Sequence, residues 1–171
     1  MQRPETTEYA KFFSTYIDLV PETNVLVAMT AQLGEFGGFL RKVPEAQGDV
    51  CHAPYTWTVK EVVGHLTDGE RVFGYRALRF GRGDTTPLPS FDENPYVKAA
   101  GYERLTLAEV VSEYEAARRS NLFLFRNFPA AAWSRVGTAA GNPVSVRALA
   151  YIIVGHTRHH GAILRKRLPP V

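Results

Sequence analysis

The chain holds one cysteine, Cys51, in 171 residues. That excludes an intrachain disulfide framework and any zinc site built on several thiolates, so a metal here would rest on histidine and oxygen donors. No apolar run approaches the ~18 residues of a membrane span. The opening stretch "MQRPETTEYAKFF" carries acids and a proline where a secretory signal needs a basic start and an apolar core, which points to the cytoplasm. Charge of neither sign dominates, with 20 Lys and Arg against 17 Asp and Glu. No basic run is interleaved with aromatics, and the densest cluster, Arg165, Lys166 and Arg167, falls where cations complement the end of a helix. Nucleic acid is therefore not an expected partner. There is no internal repeat, low-complexity tract or domain boundary, and the length suits one domain over residues 1–171.

What the sequence does have is four long amphipathic segments with well-marked ends. Leu26, Met29, Leu33, Phe36, Leu40 and Val43 step by threes and fours to a stop at Pro44. Before them, "YAKFFSTYIDLVPE" reads as a short helix or extended lead-in. The second segment opens in "WTVKE", where Thr58 and Glu61 form a capping box and Trp57 can staple onto Val62; it runs to about Arg79, before Gly81 and Gly83. The third opens in "LTLAEV" with Thr106, Glu109, Leu105 and Val110 in the same roles. Its inner face is predicted to carry Val110, Tyr114, Ala117, Leu124 and Phe128. The fourth starts at Ser145, with Val144 and Leu149 as staple, and stops at Pro169 and Pro170. Four such rods with little strand signal predict an all-α four-helix bundle, with long loops after the first and second helices. The second of these, "GRGDTTPLPSFDENPY", has the length and composition of a functional loop.

Three of the five histidines sit in "YIIVGHTRHHGAILRKRL". On a helix, His156 and His160 are separated by about 40° around the axis and about 6 Å along it, so both imidazoles can address one ion. Leu149, Ile153 and Ile163 place them on an apolar face, where bare imidazoles would need partners. The second helix offers His65 on its own inner face, between Gly64 and Gly69. Core histidines bonded to carbonyls would be the plainer explanation. The pairing of an HxxxH with an inward histidine on a second helix favours one divalent ion held by His65, His156 and His160. His159 competes as a ligand but converges less well, and suits a place on the rim. Asp68, three residues after His65, could orient that imidazole, serve as a base or remain solvated. Thr157 stands where an HExxH protease carries its general base, which disfavours peptide hydrolysis. The Cys51-His52 neighbours lack an orienting carboxylate and do not read as a nucleophile pair.

"WTVKEVVGHLTDGERVFGYRALRFGRGDTTPLPSFDE", followed after the third helix by "GNPVSVRALAYIIVGHTRHHGAILRKR", resembles the DinB-like (DinB/YfiT) superfamily of metalloenzymes. With the upstream "YIDLVPETNVL", the resemblance covers nearly the whole chain. It implies a four-helix bundle, commonly a homodimer, with nickel or zinc held by His65, His156 and His160 and waters completing the shell. Relatives so identified include thiol-dependent transferases using bacillithiol, mycothiol or glutathione, a maleylpyruvate isomerase, and members associated with DNA damage or stress. Thr157 departs from the acidic residue associated with its position in that motif. The aromatic surplus of Phe12, Phe13, Tyr16 and Phe39 is weak support for a homodimer.

Three functions stay open on these grounds. The first is a metal-dependent enzyme that transfers a low-molecular-weight thiol to an electrophile or hydrolyses a small substrate, with Asp68 or His159 moving protons. The second is a binding or stress-response module with a structural metal. The third is a metal-free bundle with core histidines.

Overall fold

The computed structural model describes residues 2–168. Six helices follow in order: α1 (Ser14–Ile17), α2 (Val25–Leu40), α3 (Val59–Gly81), α4 (Glu93–Ala100), α5 (Leu107–Arg126) and α6 (Val146–Arg167). The four long ones, α2, α3, α5 and α6, pack as the bundle, and α3 lies against both α5 and α6. The predicted caps form. Thr58 accepts from the Glu61 backbone while Glu61 accepts from Thr58, and Thr106 and Glu109 repeat the pair. Ser145 caps α6 by accepting from the Ala148 amide at 3.0 Å. The proposed stop at Pro169 and Pro170 lies outside the described residues.

Two features depart from the predicted four-helix bundle, a strand pair that corrects the all-α expectation and an added short helix. A hairpin of β1 (Val136–Ala139) and β2 (Asn142–Ser145) pairs antiparallel between α5 and α6, its turn made by Ala140 and Gly141 at φ 51° and 75°. A two-residue turn with both φ positive matches the twist of its strands, and only the glycine half of that signal is present in the sequence. The second long loop also contains α4, which Asp92 caps and Gly101 ends at φ 70°. Leu88 bridges to Ala139, pinning this loop to the hairpin.

The core has two parts. One gathers Val25, Met29, Phe73, Phe80, Phe125 and Ile153; the other gathers Phe36, Leu40, Val63, Leu66, Tyr114 and Leu164. Arg118, with no solvent exposure, joins them. Its Nε donates to Glu70 Oε1 at 2.7 Å, Nη1 to Gln32 Oε1 at 2.6 Å and Nη2 to Thr157 Oγ1 at 2.9 Å. Asn121 donates to the second Glu70 oxygen at 2.8 Å. Val110, Tyr114 and Phe128 of the predicted stripe are buried, but the polar layer shifts part of the buried face: Arg118 and Asn121 are buried too, and Ala117 and Leu124 are only partly covered. A hydrophobic pattern could not anticipate an arginine whose burial depends on a carboxylate 48 residues away.

Among the described residues, no helix is long and apolar enough to cross a membrane.

Candidate metal centre

His65 enters the bundle interior from α3, and His156 and His160 enter from successive turns of α6. Their rings stand 4.7 to 4.9 Å apart, centroid to centroid. The Nε2 atoms of His65 and His156 are 2.9 Å apart, and one nitrogen from each of the three residues lies within 4.8 Å of the others. The triad read from the sequence is therefore brought together.

Two glycines make room. At Gly69, one turn beyond His65, an added Cβ would lie 2.9 Å from His156 Nδ1, so the bare backbone is the seat of that ring. At Gly155 a Cβ would collide with the Tyr16 carbonyl, so glycine lets α1 rest directly on α6. That contact brings the Tyr16 ring 5.2 Å from His156 and 5.6 Å from His159. Trp57, just before the α3 cap, lies 4.9 Å from the His65 ring.

Burial governs the electrostatics. It pushes the His65 pKa down to about 4, with Glu93 pulling weakly the other way. Burial, reinforced by His65 and His159, takes His160 down to about 3. His156, the most enclosed, is held well below its ordinary value by burial and by the neighbouring His160 and His65. All three imidazoles are thus neutral near pH 7 and present lone pairs, the state a divalent cation requires. The buried Nδ1 of His65 has no hydrogen-bond partner among the described residues. Three neutral donors converging in a seat shaped by Gly69 fit a metal ion.

The triad forms one wall of a cavity of about 290 Å³. Phe12, Phe13, Tyr16, Trp57, Phe73 and Phe91 are its aromatic lining. Of the aromatics read as surplus, Phe13 and Tyr16 are partly covered here, and Phe12 remains 66% exposed. The loop quoted as "GRGDTTPLPSFDENPY" does close over the centre, contributing Ser90, Phe91 and Glu93. His159 is also among the residues that line the cavity.

Asp68 does not line it. Three residues after His65, it is turned about 60° away around α3, toward the Tyr102 hydroxyl and Arg71, whose Nη1 is 3.9 Å from its Oδ1. Burial and Glu113 raise its pKa, and Arg71 and Tyr102 oppose the rise. The carboxylate that faces the imidazoles is Glu93, at the first position of α4. Sequence reasoning missed it, although Asp92 before it and Gly101 after α4 are legible caps. Arg76 was missed too; it lies eleven residues after His65, close to three full turns along the same face of α3. Thr157, the departure from the motif, faces the buried Arg118 layer instead of the cavity. Cys51 is exposed, its thiol donating to the Tyr55 carbonyl at 3.0 Å.

The sequence profile of the DinB superfamily matches residues 28–164. No curated protein matches the chain. Among solved structures, YfiT from Bacillus subtilis, described as a probable metal-dependent hydrolase with an unusual four-helix bundle topology, superposes with a TM-score of 0.71 at 17% identity, over 96% of this chain and 91% of that one. The mycothiol-dependent maleylpyruvate isomerase superposes with a TM-score of 0.71 at 16% identity, over 91% of this chain and 63% of the isomerase. A variant of that isomerase gives 0.73 over the same shares.

Proposed function

The chain belongs to the DinB superfamily, and we propose that it is a divalent-metal-dependent enzyme acting on small molecules, by thiol transfer to an electrophile or by hydrolysis. The observation that carries this reading is the convergence of three neutral imidazoles on the wall of an aromatic cavity. His65, His156 and His160 would hold the ion, nickel or zinc by family resemblance. When bound, such an ion acidifies a thiol or water and polarises a substrate carbonyl.

The chain's own residues supply the rest. Burial keeps the three ligands unprotonated at neutral pH. Glu93 is the carboxylate placed to accept a proton from the nucleophile, and His159 at the rim can pass it to solvent. The aromatic wall gives the cavity an apolar lining, beside which charge interactions are stronger than in water. A low-molecular-weight thiol as cosubstrate has the mycothiol-dependent neighbour in its favour. A structural metal in a binding module is the second reading; the open cavity beside the triad weighs against it.

The test is metal content followed by turnover. Protein loaded with nickel or zinc should bind one ion per chain and lose it in the His65→Ala, His156→Ala double variant. Metal-dependent conjugation of bacillithiol, mycothiol or glutathione to a chlorinated nitroarene would identify a transferase. Metal-dependent turnover of small esters without thiol would identify a hydrolase. A loaded centre that does neither returns the protein to the binding-module reading. A homodimer is the assembly this family resemblance supports, and light scattering at micromolar concentration checks it.

A further inference from the structure

We propose that the end of the cavity away from the imidazoles is an oxyanion subsite, where Arg76 holds the carboxylate or phosphate of a substrate whose apolar body lies along the aromatic wall. The proposal rests on the enzyme reading above and narrows its substrate to small anionic molecules.

Arg76 is 6% exposed. A guanidinium carries five N–H donors, yet among the described residues Arg76 makes one hydrogen bond, from Nη2 to the Pro89 carbonyl at 2.8 Å. Its neighbours on α3 each have a carboxylate: Arg71 pairs with Glu113 at 2.6 Å and Arg79 with Asp84. The fully buried Arg118 has Glu70. Arg76 has no ion-pair partner among the described residues. Burial lowers its pKa, and no acid offsets that. A cation withdrawn from water without a counterion is costly, and a ligand anion is the group that would relieve the cost.

Its position gives the ligand a length. Side chains on a helix lean toward its N-terminus, so Arg76 reaches back along α3 toward His65. Its guanidinium carbon stands 5.9 Å from the Phe73 ring, which is itself 6.1 Å from the His156 ring. Phe73 is therefore the spacer between the two polar ends, and a flat or aliphatic body fits beside it. Among the described residues Glu93 is the one acid in the lining, and it influences His65 and Tyr16, leaving Arg76 uncompensated. An arginine fork recognises planar carboxylate and tetrahedral phosphate alike, so the shared chemistry is an oxyanion on an apolar stem.

The test compares 3-phenylpropionate, phenyl phosphate and the neutral 3-phenylpropan-1-ol by calorimetry, with protein as purified and after chelator treatment. At least one anion should bind about tenfold or more tightly than the alcohol in both preparations, as expected for a charge-assisted contact. Which anion wins separates carboxylate from phosphate substrates. Arg76→Gln should abolish the preference, and Arg76→Lys should keep part of it; thermal melts establish that each variant is folded. Equal binding of acid and alcohol by the parent protein overturns the subsite. So does a preference that survives in Arg76→Gln. A preference that vanishes on chelation would mean that the ion takes the anion, which overturns the role of Arg76 and leaves the metal centre standing. Should Arg76→Gln not fold, competition by phenylpropionate against phenyl phosphate in Arg76→Lys decides, with unchanged affinities refuting the proposal. Metal content, read separately, reports on the enzyme reading itself.

Discussion

Gly69 lies under the imidazole of His156: a methyl group there would come within 2.9 Å of Nδ1. Glycine in mid-helix costs about 1 kcal/mol against alanine, so Gly69→Ala relieves one cost while displacing a ligand. Its fold stability should stay within about 1 kcal/mol of the parent, and its metal affinity should fall about tenfold or more. Gly64→Ala is the counterpart, because its new methyl group would enter the Tyr102 ring. It should lower stability by about 1–3 kcal/mol and leave the affinity of the folded protein nearly unchanged. Metal titration beside thermal melting separates the two.

The buried imidazoles couple stability to pH. The unfolded chain protonates them near 6.5, whereas the folded chain holds His65 and His160 at about 4 and 3 and His156 also low. Between those values the unfolded state binds more protons, so the stability of the metal-free protein should be full above about 6.5 and fall as pH drops below it. Melting midpoints across that range, in the parent and in a variant with all three histidines replaced by glutamine, test this. A variant with the same pH slope as the parent would refute it.

Glu93 and Asp68 should behave differently once a turnover assay exists. Loss of a general base costs about 10²- to 10⁴-fold, so Glu93→Gln should lower kcat within that range and alter the pH profile. Asp68→Asn, outside the cavity, should leave kcat within a few-fold. The reverse ranking would place the base on the other face of α3.

Arg118→Met removes one half of a buried ion pair and strands Glu70, at a cost of about 3–5 kcal/mol. Replacing Glu70 as well, by Leu, should recover much of that loss. Denaturant unfolding of the single and double variants checks the coupling.

How much of this was legible in the sequence depended on the range of the interaction concerned. Thr58, Glu61, Thr106, Glu109 and Ser145 act within one turn, and their caps form as read. His156 and His160 are related by helix geometry alone. That His65 would meet them required knowing that α3 faces α6, which an inward histidine on a capped helix could suggest. Glu93 and Arg76 escaped because a cavity is formed by elements distant in sequence, and α4 is too short to show a periodic pattern. Nearness to His65 in sequence could not choose among the alternatives left open for Asp68; the step of about 60° around α3 turns it toward Arg71 and Tyr102. The inner face of the third helix was legible in part: Val110, Tyr114 and Phe128 are buried as read, whereas Arg118 was passed over because the rule that charges stay outside is broken by a pair that satisfies itself.

That pair has a consequence for assembly. Arg118 on α5 holds Gln32 of α2, Glu70 of α3 and Thr157 of α6 at once. If any one helix slid by a turn, about 5.4 Å, the aliphatic contacts could re-form with other leucines and valines, but the guanidinium would lose its mates. The arrangement works as a keyway: apolar packing tolerates several alignments of the rods, and the arginine admits one. Thr157 is the residue next to His156, and Glu70 is five beyond His65 on α3. The alignment that seats Arg118 is therefore the one that brings the three imidazoles within reach of a single ion.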